Sequence, residues 1–323
     1  MSDQNLVTID AEIFGGEIAK AGSSPERINP AMAYLLSLQS DNSRKTMQSF
    51  LNRVADVFWG TTWDQAPWET LTRNRIQAIM LKLAEQDLAP STRKGILSAV
   101  KGVMREAWIA KTIDPDEYHA IKDIKGPTGR RVRKGRSIQK EEVKDLIEAV
   151  PLKSTELLRV RNRAIIAVML GSGLRKTEAC TLRTDDINLD EAKMVVLGKG
   201  DHEDEIDLHT SSIPYLTAWL EIRGEPKEYL FNPINRHGQI ADRRISASGM
   251  DHILSEAAKE AGVKSFTAHD TRRTFATRLF ASGVDSIKVR DAMRHASVET
   301  SEIYNMADAN ALKEAIESVN LLF

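Results

Sequence analysis

The stretch from Thr267 to Asn305, TAHDTRRTFATRLFASGVDSIKVRDAMRHASVETSEIYN, places two histidines, His269 and His295, with Arg272 and Tyr304 on what read as consecutive short helices. Thr267 and Asp270 have the spacing of a capping box, which puts His269 and Arg272 three apart on the first turn, where unpaired N–H groups favour an anion. Phe275 and Leu279 take the buried side. Gly283 is placed to stop this helix, Asp285 or Ser286 to start the next, and Ser297 to cap a third that carries Tyr304, with His295 in the joint before it. A tyrosine hydroxyl, with an ordinary pKa of about 10, needs a proton acceptor or a cationic setting before it can attack. His269 is the candidate base and Arg272 the candidate cation. Taken singly these residues have plainer readings: a histidine near a helix start is commonly a cap, and a tyrosine before an apolar tail is commonly packing.

The set has a familiar order. His-x-x-Arg, then His295, then Tyr304 nine residues later resembles the tyrosine recombinase (phage integrase) family. Upstream, MLGSGLRKTEACTLRTDDINLD resembles that family's first arginine box, with Arg175 in a Gly-Leu-Arg turn and Glu178 three residues on, and VVLGKGDHEDEIDL resembles the hairpin that carries its lysine, here Lys199. The likeness runs closely over about residues 137 to 323 and more loosely over about 28 to 125. It implies a mainly α fold: a helical, SAM-like core-binding domain, then an α-rich catalytic domain with a small β-sheet. It also implies catalysis by Arg175, Lys199, His269, Arg272, His295 and Tyr304. Lys199 would protonate the leaving 5′-oxygen and His295 would hydrogen-bond a nonbridging oxygen. The implied reaction is site-specific recombination through a 3′-phosphotyrosine, with no cofactor and no metal. Its setting would be a homotetramer on two double-stranded DNA sites with inverted-repeat cores, serving integration, excision or resolution of a mobile element. Resolution of chromosome or plasmid dimers, or an inactive DNA-binding relative, is the alternative.

The residue types fit that chemistry on their own terms. Guanidinium forks grip phosphate at two points and keep their charge, so Arg175 and Arg272 suit a phosphodiester whose transition state gathers charge on the nonbridging oxygens. Three positions depart from the family pattern. DHEDE follows Lys199 where relatives place basic residues, and nearby anions raise the pKa of a proton donor. Met293-Arg294-His295 replaces Leu-Gly-His, so the turn must accept Arg294, which is placed to touch phosphate. Arg273 follows Arg272 where relatives carry His, which leaves the choice of arginine resting on the His-x-x-Arg spacing.

The elements that must position these groups follow from pattern. A chain of 323 residues with 41% hydrophobic composition has material for about two domains. No apolar run approaches a membrane span and the N-terminus shows no signal pattern, so no membrane partner, no small-molecule substrate and a cytoplasmic location are expected. Cys180, the single cysteine, reads as a buried thiol. The net charge of −1 requires any DNA-binding charge to be concentrated. Lys122 to Arg136 holds seven basic residues and one acidic, broken by glycines and a proline. It reads as a basic linker in which Arg130, Arg131, Arg133, Lys134 and Arg136 contact phosphate, or else as a solvated hinge. Before it, Met47, Leu51, Val54 and Phe58 form one apolar stripe and Ile76, Met80 and Leu83 another. Ser91 is expected to open a helix with Ile96, Val100, Val103 and Ala107 inward, and Lys94, Ser98, Lys101 and Arg105 on a face that suits either DNA or solvent. Trp59, Trp63 and Trp68 are expected to close this core.

The divisions expected are an irregular arm over 1–28, a helical DNA-binding domain over 29–121, the linker over 122–136, the catalytic domain over 137–308 and a C-terminal helix over 309–323. In that tail Leu312, Ile316, Val319 and Phe323 form an apolar stripe suited to a neighbouring subunit or to its own domain. Ser137 is the expected cap of the first catalytic-domain helix, and KMVVLGKG with DEIDLHT the expected strand pair. The rivals weighed are a metal-dependent nuclease using His269 and His295 with Asp270 or Asp291, which two neighbouring arginines disfavour, and a type IB topoisomerase or hairpin-forming resolvase.

Overall fold

The computed structural model describes residues 29–129, 135–149, 155–198, 202–224 and 227–294. Its contacts divide the chain into two units, Met1–Val132 and Arg133–Phe323.

The first unit is helical. Its elements are α1 (Pro30–Leu36), α2 (Asp41–Trp59), a 3-10 turn (Trp68–Thr70), α3 (Arg73–Glu85), α4 (Pro90–Ile109) and α5 (Pro115–Lys122). Polar caps start most of them: Asn29, Ser40, Thr72 and Asp114 each accept a backbone N–H of the first turn. α4 begins at Pro90 behind Ala89 rather than at Ser91, because proline already has helical φ and lacks the N–H that a cap would satisfy. Leu51, Val54, Ile76, Ile79, Leu83, Ile96, Val100 and Val103 form the core. Trp68 is fully enclosed, gives its indole N–H to Trp63 O at 2.7 Å and meets Trp59 edge to face at 5.3 Å.

The second unit holds α6 (Lys140–Glu148), α7 (Glu156–Ser172), α8 (Lys176–Thr181), β1 (Ile187–Asn188), β2 (Lys193–Leu197), β3 (Glu203–Asp207), a 3-10 turn (Thr210–Ser212), α9 (Ile213–Arg223), α10 (Ala247–Glu260), α11 (Ala268–Ala281) and α12 (Ser286–Met293). α7 is the central rod, buried along Ala164–Met169 and packed by α6, α9, α10 and α11. α6 is capped by Gln139 and Glu142, two residues later than the expected Ser137. The sheet is antiparallel in the order β1-β2-β3, so two-residue β1 adds a strand to the expected pair. Met194 and Val196 pair with Ile206 and Asp204 on the buried face, while Glu203, Glu205 and Asp207 point outward. Three of the four carboxylates in that strand therefore face water, and Asp204 alone turns in, half-buried.

Gly173 ends α7 at φ 63°, and a Cβ there would lie 2.5 Å from the Phe275 ring. Both the left-handed turn and the close packing of α11 require glycine at this position. The next residues, Leu174 and Arg175, thereby enter α8 beside α11. Cys180 in α8 is 5% exposed, and burial pushes its thiol pKa up, as a structural thiol requires.

Candidate active site

The site is built where α7 turns into α8, where α11 begins, and where α12 ends. α11 starts on the expected capping box: Thr267 N donates to Asp270 Oδ2 at 2.9 Å and Asp270 N to Thr267 Oγ1 at 3.3 Å. His269 lies exposed on that first turn, and Arg272, one turn later, is 3% exposed. The Arg272 guanidinium donates to Gly173 O and to Met293 O. Arg175 Nη2 donates at 2.8 Å to Arg294 O, the next carbonyl along. Arg175 and Arg272 thus reach successive carbonyls at the end of α12, immediately before His295, from sequence positions 119 and 21 residues away.

Glu178 holds the arrangement. Its carboxylate is 4% exposed and accepts from Arg175 N at 2.8 Å, Arg175 Nη1 at 2.6 Å and Arg294 Nη2 at 2.5 Å. A buried carboxylate is tolerated only when paired this fully, and removing one partner of such a pair typically costs about 3–5 kcal/mol. Arg294 occupies the left-handed turn that caps α12, at φ 50°. Burial pushes its guanidinium pKa down; Glu178 partly offsets this, Arg175 adds to it, and Asp204 from β3 offsets it further. Arg175, Arg272 and Arg294 outnumber Glu178 and Asp204, so the cluster is a cationic one.

Two adjacent arginines in α11 part company. Arg272 turns toward Arg175, whereas Arg273 Nη1 donates to Gly135 O at 2.9 Å. Arg273 belongs to a ladder along α11: Asp270 Oδ1 accepts from Arg136 N at 2.8 Å, and Thr274 Oγ1 accepts from Ile138 N at 2.8 Å. These side chains pin residues 135–138 to the helix that carries His269 and Arg272. Sequence reading missed the ladder, because nothing local to Asp270, Arg273 or Thr274 names partners more than 130 residues away.

Two of the basic residues expected on DNA have hydrogen-bond partners within the protein. Arg136 gives Nη1 to Glu142 at 2.5 Å and its other nitrogens to Ser265 O and Lys264 O, all within the second unit. Lys101 Nζ donates at 2.7 Å to both Lys122 O and Ile124 O, closing the last turn of α5 as helix-end carbonyls demand. Lys94, Ser98 and Arg105 of the same stripe are exposed. Lys199, His295 and Tyr304 lie outside the described residues, as do Arg130, Arg131, Arg133, Lys134, the arm 1–28 and the tail 309–323. Among the described residues, no group of three His, Cys, Asp or Glu side chains could hold a metal ion, and no helix is long and apolar enough to cross a membrane.

Residues 136–311 match the sequence model of the phage integrase family, a span that contains every residue of this cluster. The chain belongs to that family. It is similar to the tyrosine recombinase XerA of Pyrococcus furiosus, 34% identical over 58% of this chain and 63% of that one. It is also similar to the tyrosine recombinase XerC of Alcanivorax borkumensis, 27% identical over 87% of this chain and 95% of the relative. A crystal structure of the XerH site-specific recombinase bound to palindromic difH substrate, in a post-cleavage complex, superposes at a TM-score of 0.70 with 22% identity, covering 98% of this chain and 90% of that one. At that identity the likeness establishes the fold: a mainly helical recombinase fold with a small sheet. The integrase-family chain is thus a site-specific recombinase of the tyrosine type.

Proposed function

We propose that this recombinase cleaves and rejoins double-stranded DNA in the cytoplasm through a 3′-phosphotyrosine at Tyr304, as a homotetramer pairing two sites with inverted-repeat cores. The observation that carries the reading is the meeting of Arg175 and Arg272 on the successive carbonyls of Met293 and Arg294. Two fixed cations then stand against the chain segment that leads through His295 to Tyr304. The palindromic substrate of the XerH complex supports the inverted-repeat site.

The reaction balances without water or metal. Tyr304 attacks phosphorus as its phenolic proton passes to His269; the bond to the 5′-oxygen breaks, and Lys199 gives that oxygen a proton. Arg175 and Arg272, with His295, stabilise the charge that gathers on the nonbridging oxygens. The phosphotyrosine keeps the bond energy, so the 5′-hydroxyl of a partner strand reverses the step. Arg130, Arg131, Arg133 and Lys134 supply sequence-independent phosphate contacts, with Lys94 and Arg105 on the exposed face of α4. The tail 309–323 docks on a neighbouring subunit to join the tetramer. Integration, excision, resolution of a mobile element and resolution of chromosome or plasmid dimers all use this reaction; the sites joined distinguish them.

A duplex selected from random sequence by binding to the full chain, nicked near the crossover so that religation fails, tests the reading. Wild-type protein is expected to accumulate on it covalently, in the presence of EDTA, and Tyr304→Phe to bind it without an adduct. An adduct that persists in Tyr304→Phe would mean another nucleophile.

A further inference from the structure

The Arg294 side chain is 90% buried, since only 10% of it is exposed, and two of its nitrogens, Nε and Nη1, are enclosed with no hydrogen-bond partner. Its third, Nη2, is held by Glu178, the same carboxylate that holds Arg175. Its own carbonyl accepts from Arg175. The residue also stands at φ 50°, a conformation that glycine adopts freely and that a long side chain adopts at a cost. A buried cation with orphaned donors, in a strained turn and beside two more guanidiniums, is a poor way to stabilise a folded chain. It is a good way to receive an anion, because the anion supplies a missing acceptor and offsets the excess positive charge together.

We propose that Arg294 is a third arginine for the scissile phosphate, one of its two unbonded nitrogens donating to a nonbridging oxygen while Glu178 holds Nη2 in place. The inference rests on the reaction proposed above and adds a catalytic contact to it. Both two-point faces of a guanidinium include Nη2, which Glu178 holds, so the contact offered here is a single charge-assisted hydrogen bond from an unbonded nitrogen. Glu178 then serves both arginines, fixing Arg175 from one side and Arg294 from the other. The Arg175 side chain beside it is 41% exposed.

The test uses the nicked duplex with either an ordinary phosphodiester or a neutral methylphosphonate at the scissile position. Arg294→Gln and Arg294→Gly are compared with wild type for the rate of adduct formation; glycine relaxes the turn, so the fold is retained in at least one variant. On the phosphodiester both variants are expected to lose about 100-fold, the size of effect seen when one oxyanion donor is removed. On the methylphosphonate, which lacks the charge that Arg294 would neutralise, the loss is expected to shrink to about 10-fold or less. An equal loss on the two substrates would mean that Arg294 acts only by positioning Arg175 or the turn, and no loss on either would mean that it does not touch the phosphate; either result overturns the proposal. If wild type forms no adduct while binding the duplex, the reaction itself has been misread and this proposal falls with it.

Discussion

α4 and α11 both carry several basic residues, and the two helices are used in opposite ways. α4 buries Ile96, Leu97, Ala99, Val100, Val103, Met104 and Ala107, all apolar, and leaves Lys94, Ser98 and Arg105 outside. α11 buries Asp270, Thr271, Arg272, Arg273 and Thr274, with only alanines among its other buried residues. α4 is held by apolar area removed from water, at roughly 25 cal/mol per Å². α11 packs Ala276, Phe275 and Leu279 against α12, but its buried polar residues are held by hydrogen bonds to backbone atoms of other segments, which make its position specific and leave each contact sensitive to loss. A helix of the first kind organises a domain, and one of the second kind organises a site.

Substitutions in the two helices should therefore fail differently. The largest effect is expected for Arg272→Ala, which removes a cation from the developing phosphate charge and strips Gly173 O and Met293 O of a donor. Adduct formation on the nicked duplex should fall about 10³-fold, while binding of the duplex in gel shift persists; retention of more than a tenth of the wild-type rate would remove α11 from the chemistry. Next comes Ile96→Ala in α4, at a side chain with no exposure. It should lower stability by about 2–5 kcal/mol in urea unfolding followed by circular dichroism, yet leave the rate of adduct formation unchanged for the folded fraction. A specific slowing of cleavage would show that the contrast between the helices is false.

The smallest effect sharpens the comparison within α4 itself. Lys101→Met removes the donor to Lys122 O and Ile124 O and should lower stability by about 1 kcal/mol, as a thermal-melt shift of a few degrees. The salt dependence of duplex binding should stay as in wild type, because this ammonium is already engaged. A flatter salt slope would return Lys101 to the DNA-facing set with Lys94 and Arg105.

The same contrast explains how far sequence alone reaches. The core of α4 was legible because burial leaves a periodic trace at 96, 100, 103 and 107. The capping box of α11 was legible because its partners, Thr267 and Asp270, are three residues apart. The choice of Arg272 over Arg273 followed from spacing to His269, and the structure separates the two by turning them toward Met293 and Gly135. What could not be read was any bond whose partner lies far along the chain. Lys101 looked like a groove contact and Arg136 like part of a linker, because their partners at 122, 124, 142, 264 and 265 leave no mark near them in sequence. Glu178 was visible as a partner of Arg175, but its hold on Arg294, 116 residues away, was not.

That remoteness has a consequence for the order of events in the cell. The bonds that define the site join Gly135 to Arg273, Gly173 to Arg272 and Arg175 to Arg294, closing loops of 138, 99 and 119 residues. Short α8, which presents Arg175, is only six residues long and cannot hold its shape alone. The contacts of α7 with α6 and α9 can form once residues near 220 have been made, but those with α10 and α11 come later and the arginine cluster has to wait for Arg294. A growing chain thus completes the core of its first unit well before its cationic cluster, which no stretch of chain ending before Arg294 can build.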